Sequence, residues 1–441
     1  MPTGRTHELR LGETVQRRSK PCVPVVSRAG FVSTRLAGTD GVSLETTKWA
    51  EVLARVGVES FFFAGECGWP AERAYIVPEA HFQHPDVLRL SEELFGGRVR
   101  QPETSQRVDS LKLHLKQHLR QFVMRFDLEL LIVENAVAIP MNIPLGLAIA
   151  ELVAETGMPV IAHNHDFAWE RSRYATGAAD DYLCAGFPPI HPSVTQVVIN
   201  SMGQRQLALR TGANATIVPN VMDYDNPPPA PDGYVADLRA ALDVAEDEYL
   251  LLQPTRIVPR KRIERAVELA ARLDLPCTLV ISHQSGDEGA EYATFLREYV
   301  ALMGVKCVFA GELFAPERSS SANGRKIYSL ADAYAVADIV TYPSDIEGFG
   351  NAFLEAVYYG KPLVMCAYDV YRLDIRPKGF RVVEFEDYMT EATVQCVREV
   401  LQDTALADEM AAHNYAVARQ HYSFTVLERL LAGVLERALC A

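Results

Sequence analysis

No apolar run in the chain approaches the roughly 20 residues that a membrane-spanning helix requires, and the first residues lack the apolar core of a secretory signal. Cysteine is sparse: eight in 441 residues, scattered, with no C-x-x-C pair and no zinc spacing. Several of these (Cys277, Cys307, Cys366) fall in stretches that read as buried strands. They read as reduced thiols, and the expected compartment is the cytoplasm. Positive charge is also short. With 43 Lys and Arg against 57 Asp and Glu, the formal charge is −14, which argues against nucleic acid as a partner and, more weakly, against anionic membrane surfaces. What is present is a composition 49% apolar with moderate charge, in a chain too long for one ordinary core. Two domains of roughly 200 residues each are expected.

The most specific stretch is 338–366. Residues 338–342 form a short apolar, β-branched run that stops at Pro343 and reads as a buried strand. A turn with Pro, Ser, Asp and two glycines follows, then a helix over 351–359 ended by Gly360 with Pro362 just beyond. Strand, glycine turn and helix N-terminus together make an anion site, because the first helical N–H groups lack intrahelical partners. Glu347 and Glu355 frame it, with seven residues between them. A phosphate cradled by Gly348, Phe349 and Gly350 would leave both carboxylates free to accept hydrogen bonds from sugar hydroxyls. Taken alone, the spacing fits equally a solvated turn residue and an exposed helix glutamate.

Elsewhere the chain alternates strand and helix, which predicts doubly wound parallel sheets. In the first half, strands are expected at 24–26, 59–64, 128–133, 158–163, 195–200 and 215–219, and helices at 43–56, 105–124 and 142–155. Gly38-Thr39-Asp40-Gly41-Val42 forms a second strand–glycine–helix turn. His163-Asn164-His165-Asp166 closes a strand at the end where such sheets bind ligands. An H-x-H can bind metal, although the further ligands of a metallohydrolase are not evident; it can equally serve neighbouring loops or an active site. Arg171, Arg173 and Tyr174 lie in the next loop, where two arginines suit an anionic ligand or simply solvent. Proline-rich 226–231 reads as a linker. The second half has a helix at 232–242 and strands at 249–253, 278–282 and 306–310. Four cations in seven residues (Arg256, Arg260, Lys261, Arg262) stand out in an acidic chain.

Pro343, Ser344, Glu347, Gly348, Phe349, Gly350, Glu355, Ala356, Gly360 and Pro362 stand in register with P-S-x-x-E-G-F-G-x-x-x-x-E-A-x-x-x-G-x-P. In this the chain resembles retaining glycosyltransferases of the family 4 type, with their E-x7-E signature. Pro219-Asn220-Val221-Met222-Asp223 is similar to the family's P-N-G-V-D at the domain junction, with Val for Gly. Lys261-Arg262 stands where Lys-Gly is usual. The resemblance covers most of the chain after residue 24 and implies the GT-B architecture, two Rossmann-like domains facing across a cleft. The divisions it implies are a mobile arm at 1–20, a first domain at 21–222, a linker at 223–231, a second domain at 232–422, and a last helix at 423–441 crossing back to the first domain.

The implied reaction moves a hexose from a nucleoside-diphosphate sugar (UDP, GDP or ADP) to an acceptor hydroxyl with retention. By resemblance, Arg256 and Lys261 hold the diphosphate and stabilise the leaving charge. Glu355 holds the ribose, and Glu347 with Gly348, Phe349, Gly350 and Asn351 the sugar and β-phosphate. Gly41 lies against the donor phosphates or the acceptor. His165 orients the sugar, with Asp166 expected to fix its tautomer. Gly311-Glu312 lies where relatives bind the base. No covalent nucleophile stands out, and neither a tightly bound metal nor another tight cofactor is expected. The acceptor expected is small, soluble and polar, a sugar phosphate or a glycerate-type compound. Homo-oligomerisation is left open. A nucleotide-sugar epimerase, a phosphorylase or a non-catalytic nucleotide-sugar binder of the same fold stand as alternatives.

Overall fold

The computed structural model describes residues 26–38, 40–284, 290–321 and 323–440. The arm expected at 1–20 lies outside them. The first sheet is built from β1 (Arg28–Val32), β2 (Glu59–Ala64), β3 (Ala74–Ile76), β4 (Leu130–Glu134), β5 (Val160–Asn164), β6 (Val194–Val198) and β7 (Ala215–Ile217). All are parallel, in the order 3-2-1-4-5-6-7. Runs such as Phe61-Phe62-Phe63 are apolar throughout because helices cover both faces of the sheet.

The second sheet contains β8 (Tyr249–Gln253), β9 (Cys277–Ile281) and β10 (Cys307–Phe309). After a small hairpin of β11 (Ser319–Ser320) and β12 (Lys326–Ile327), it is completed by β13 (Ile339–Tyr342), β14 (Leu363–Cys366) and β15 (Val383–Phe385). Its order is 10-9-8-13-14-15, again parallel. This is the pair of Rossmann-like domains expected from the alternating pattern. The helix Phe424–Cys440 lays Phe424, Leu427, Leu431 and Val434 into the core of the first sheet beside Phe31, Trp49 and Leu53.

Several expectations shift in detail. The first strand starts at Arg28, after the predicted 24–26. The helix expected at 232–242 shrinks to Leu238–Ala241, since Pro231 and Gly233 stand at its intended start. β3 and the helix Pro85–Phe95 have no counterpart in the sequence reading; for β3, three residues are too few to show a period.

Strand order locates the cleft. In each sheet the order reverses once, between β1 and β4 and between β8 and β13, and loops leaving such a pair diverge to open a crevice at the carboxyl ends of the strands. The two crevices meet. Asn200, just past β6, donates through Nδ2 to the Gly348 carbonyl at 2.7 Å, and Asn220 donates to Asn351 Oδ1 at 2.7 Å.

Candidate active site

The second-domain wall comes from the loops after β8 and β13. Lys261 Nζ is ion-paired with Glu347 Oε1, and Arg260 Nη1 lies 3.1 Å from Glu347 Oε2 and 3.1 Å from the Ile346 carbonyl. Burial alone would raise the Glu347 pKa, but the charges of Lys261 and Arg260 outweigh it and hold the carboxyl at about 2. Burial lowers the Lys261 pKa against the pull of Glu347. Arg262 and Arg265 both bind Asp345. Arg262 sits at φ +48°, which accounts for the glycine usual at that place. Of the four cations, Arg256 is the exposed one whose guanidinium makes no hydrogen bond or ion pair among the described residues. Its charge, after burial, helps depress His283 to about 4.

Gly348-Phe349-Gly350 leads into the helix Asn351–Tyr358. Gly350 has φ +122°, and a Cβ there would stand 2.3 Å from the Tyr368 hydroxyl, so only glycine fits. Tyr368 Oη donates to the Phe349 carbonyl at 2.7 Å, turning that oxygen inward. No described group accepts from the Phe349 or Gly350 amide. Glu355, partly buried one helical turn on, accepts from Tyr334 Oη at 3.0 Å, and burial raises its pKa while Tyr334, Lys48 and Lys261 oppose. Gly311 opens a short 3-10 turn, Gly311–Leu313, and packs against the Gln284 backbone.

The first-domain wall starts at Asp40, whose carboxylate caps the helix Gly41–Arg55 through the amides of Val42 and Ser43. Gly41 itself is exposed, and a Cβ there would lie 3.6 Å from Asn351 Nδ2, in ordinary contact. Glu45, Lys48 and Trp49 share one face of that helix at i, i+3 and i+4. Glu45 is fully buried and ion-paired to Lys48 Nζ at 2.6 Å, with its Oε2 unpartnered. Trp49 stacks on His163 at 4.1 Å. Glu134, at the end of β4, accepts through the same Oε2 from His163 Nδ1 at 2.9 Å and from His165 Nε2 at 3.1 Å. Burial lowers the His163 pKa; for His165 burial also lowers, but the bond to Glu134 and its charge win and raise it.

The tautomer role expected of Asp166 is therefore corrected. Its carboxylate is occupied by Asn135 Nδ2 at 2.9 Å and Arg171 Nε at 2.9 Å, and it makes no hydrogen bond to the His165 ring. Neighbours at a strand end point to opposite sides, whereas His163 and His165, two apart, share one. Arg171 is thereby tied to Asp166. The Arg173 guanidinium lies over the Tyr174 ring at 4.6 Å, and Tyr174 is buried against Phe95. The structure brings His165, Lys261, Glu347, Gly348–Gly350, Asn351 and Glu355 to the junction of the two walls. Gly348 marks the junction itself, for a Cβ there would meet the His165 carbonyl at 3.4 Å.

Glu134, His163 and His165 are also the one group among the described residues whose ligating atoms, all within 4.8 Å, could receive a metal ion. A histidine bound through Nδ1 carries its proton on Nε2 and needs an acceptor there. His163 Nε2 is buried with none, so the trio fits a hydrogen-bonded cluster better than a metal centre. Glu45, Lys48, Trp49 and Glu134 were missed in the sequence. Their signals were the i, i+3, i+4 spacing behind the glycine turn and a lone acid closing the apolar run Leu-Leu-Ile-Val-Glu.

No described helix is long and apolar enough to cross a membrane, and the seven described cysteines are free thiols. Residues 235–417 match the family "Glycosyl transferases group 1". The chain is 31% identical over 377 residues to a mannosylglucosylglycerate synthase of Petrotoga mobilis, covering 80% of this chain and 85% of that one. It is 30% identical over 425 residues to the Thermotoga maritima protein of the same name, covering 89% and 96%. Among solved structures, Anabaena HepE in complex with UDP-glucose superposes with a TM-score of 0.63 at 14% identity, covering 92% of this chain and 99% of that one. The last likeness concerns the fold; the first two concern descent. The chain belongs to the group 1 glycosyl transferases and is a glycosyltransferase of GT-B architecture.

Proposed function

We propose that the protein transfers mannose, with retention, from a nucleoside-diphosphate mannose to a hydroxyl of glucosylglycerate or a closely similar small anionic glycoside. The observation that carries the reading is the conjunction at one strand-order reversal of the paired Lys261 and Glu347, the free amides of Phe349 and Gly350, and the unpaired Arg256. A diphosphate set there meets Arg256, Lys261 and two amides, and these stabilise the charge that grows on it as the sugar departs. Glu355, one turn along the helix, takes the ribose hydroxyls. Glu347 and His165 hold the sugar from opposite walls. Glu45 and Glu134, two carboxylates of the first domain whose charge reaches His165, are engaged with Lys48 and the two histidines. That favours displacement on the same face over a covalent intermediate. The names of the relatives supply the sugar and the acceptor, and Arg171 and Arg173 offer charge to the acceptor carboxylate.

The test is thermal stabilisation by UDP, GDP and ADP, followed by release of the winning diphosphate from its mannose conjugate. Saturation at a hundred times the dissociation constant adds roughly 2.7 kcal/mol. Diphosphate release that needs glucosylglycerate, with an α-anomer recovered from an α-donor, supports the reading. Release without acceptor, or a free epimer, overturns it.

A further inference from the structure

Glu134 is a wholly buried carboxylate with two hydrogen bonds on one oxygen, both from imidazoles. An ionised carboxylate only accepts, so both ring nitrogens facing it must carry protons. His163 is thereby the Nδ1–H form, neutral in its burial between Trp49 and His165. His165 carries its proton on Nε2. Its Nδ1 makes no hydrogen bond to any described group and, unlike His163 Nε2, is not a buried unpartnered atom. That nitrogen is the one open to a ligand.

We infer that Glu134 is a positioning residue: it fixes the ring orientation and tautomer of His165 so that Nδ1 faces the transferred sugar. The inference rests on the proposed transfer reaction only for what Nδ1 meets; the pairing itself does not depend on it. The charged and titratable groups around the ring come from every adjoining element. Glu134 lies on β4, His163 on β5 and Glu45 on the helix Gly41–Arg55, and Asp166 follows in its own loop; from the second domain, Gly348 stands against the His165 backbone carbonyl. Among the described residues, Glu134 alone hydrogen-bonds to the ring.

Nitrogen-15 NMR of histidine-labelled protein, with the His165 signals identified by their loss in His165→Gln, reads the tautomer directly. The expected spectrum of the wild type shows a proton on His165 Nε2 at all pH values and titration at Nδ1. A neutral Nδ1–H form overturns the inference, whatever the enzyme's substrate is. In Glu134→Gln the His165 titration should move to lower pH. Its kcat should fall about 10- to 100-fold, the loss of one hydrogen bond to a charged group, with the thermal shift by nucleoside diphosphate kept. Glu134→Asp should recover part of the kcat. A Glu134→Gln protein with wild-type kcat and pH profile would equally sink the idea. If Glu134→Gln fails to fold, the wild-type spectrum still decides. If no transferase activity is found at all, the proposed function falls and the tautomer stands or falls separately.

Discussion

Lys261 and Glu347 are 86 residues apart in the chain, yet Lys261 Nζ and Glu347 Oε1 form a nearly buried ion pair where the loops after β8 and β13 converge. Each reads in the sequence as a ligand of the donor. In the structure each is also the partner that keeps the other charged at the floor of the cleft.

Breaking one side of that pair should be costly. Glu347→Gln or Lys261→Met alone is expected to lower stability by about 3 kcal/mol, and the double variant by less than the sum, because the single changes strand a desolvated charge. Glu347 has a folded pKa below its unfolded one, so its contribution is present above about pH 4.5 and lost as pH falls towards 2. Melting curves of wild type and Glu347→Gln should therefore converge over that window. A constant gap from pH 7 to 2 would contradict the pairing.

Glu355→Ala should weaken nucleotide binding about 10- to 100-fold, the scale of lost hydrogen bonds to a charged group. Tyr334→Phe, which removes only the hydroxyl at 3.0 Å from Oε2, should cost much less. Titration calorimetry with the preferred diphosphate and with its free base separates the two. If Glu355→Ala binds like wild type, Glu355 does not hold the ribose.

Arg171→Ala and Arg173→Ala should each raise the KM for an anionic acceptor by roughly tenfold, leaving donor KM within twofold, as expected for loss of one ionic hydrogen bond. A neutral acceptor analogue such as glucosylglycerol should show no such change. Equal effects on both acceptors would mean that the loop merely loses its anchors, Arg171 on Asp166 and Arg173 on the Tyr174 ring.

Gly350→Ala should destabilise by about 2–4 kcal/mol, because the new methyl meets the Tyr368 hydroxyl and the backbone stands at φ +122°. Tyr368→Phe in that background should recover only part of the loss, since the strained dihedral persists. Urea unfolding measures both. A neutral Gly350→Ala would mean that the loop has room to move.

Much of the architecture was readable locally. Short apolar runs punctuated by glycine and proline reveal β4, β8 and β13, because a strand buried on both faces must be apolar along its length. The words around Glu347 and Glu355 disclose an anion site because a glycine turn before a helix leaves its amides bare whatever surrounds it. Arg262 shows the reach of such reading: the place where glycine is usual holds a left-handed backbone that any residue there must adopt.

Which side chains meet was beyond that reach. Asp166 follows His165 directly and so drew the tautomer role, but adjacent residues at a strand end face apart, and Asp166 turned to Asn135 and Arg171. The partner of His165 is Glu134, 31 residues earlier and one strand over. Glu45 and Lys48 become part of the same wall only because the helix Gly41–Arg55 lies with Trp49 against His163. Periodicity is a property of a few consecutive residues, so it survives in the bare chain. The charge pairing that sets Glu134, His165, Lys261 and Glu347 depends on strand order, which lays β4 beside β5 and β8 beside β13, and exists only once the chain is folded.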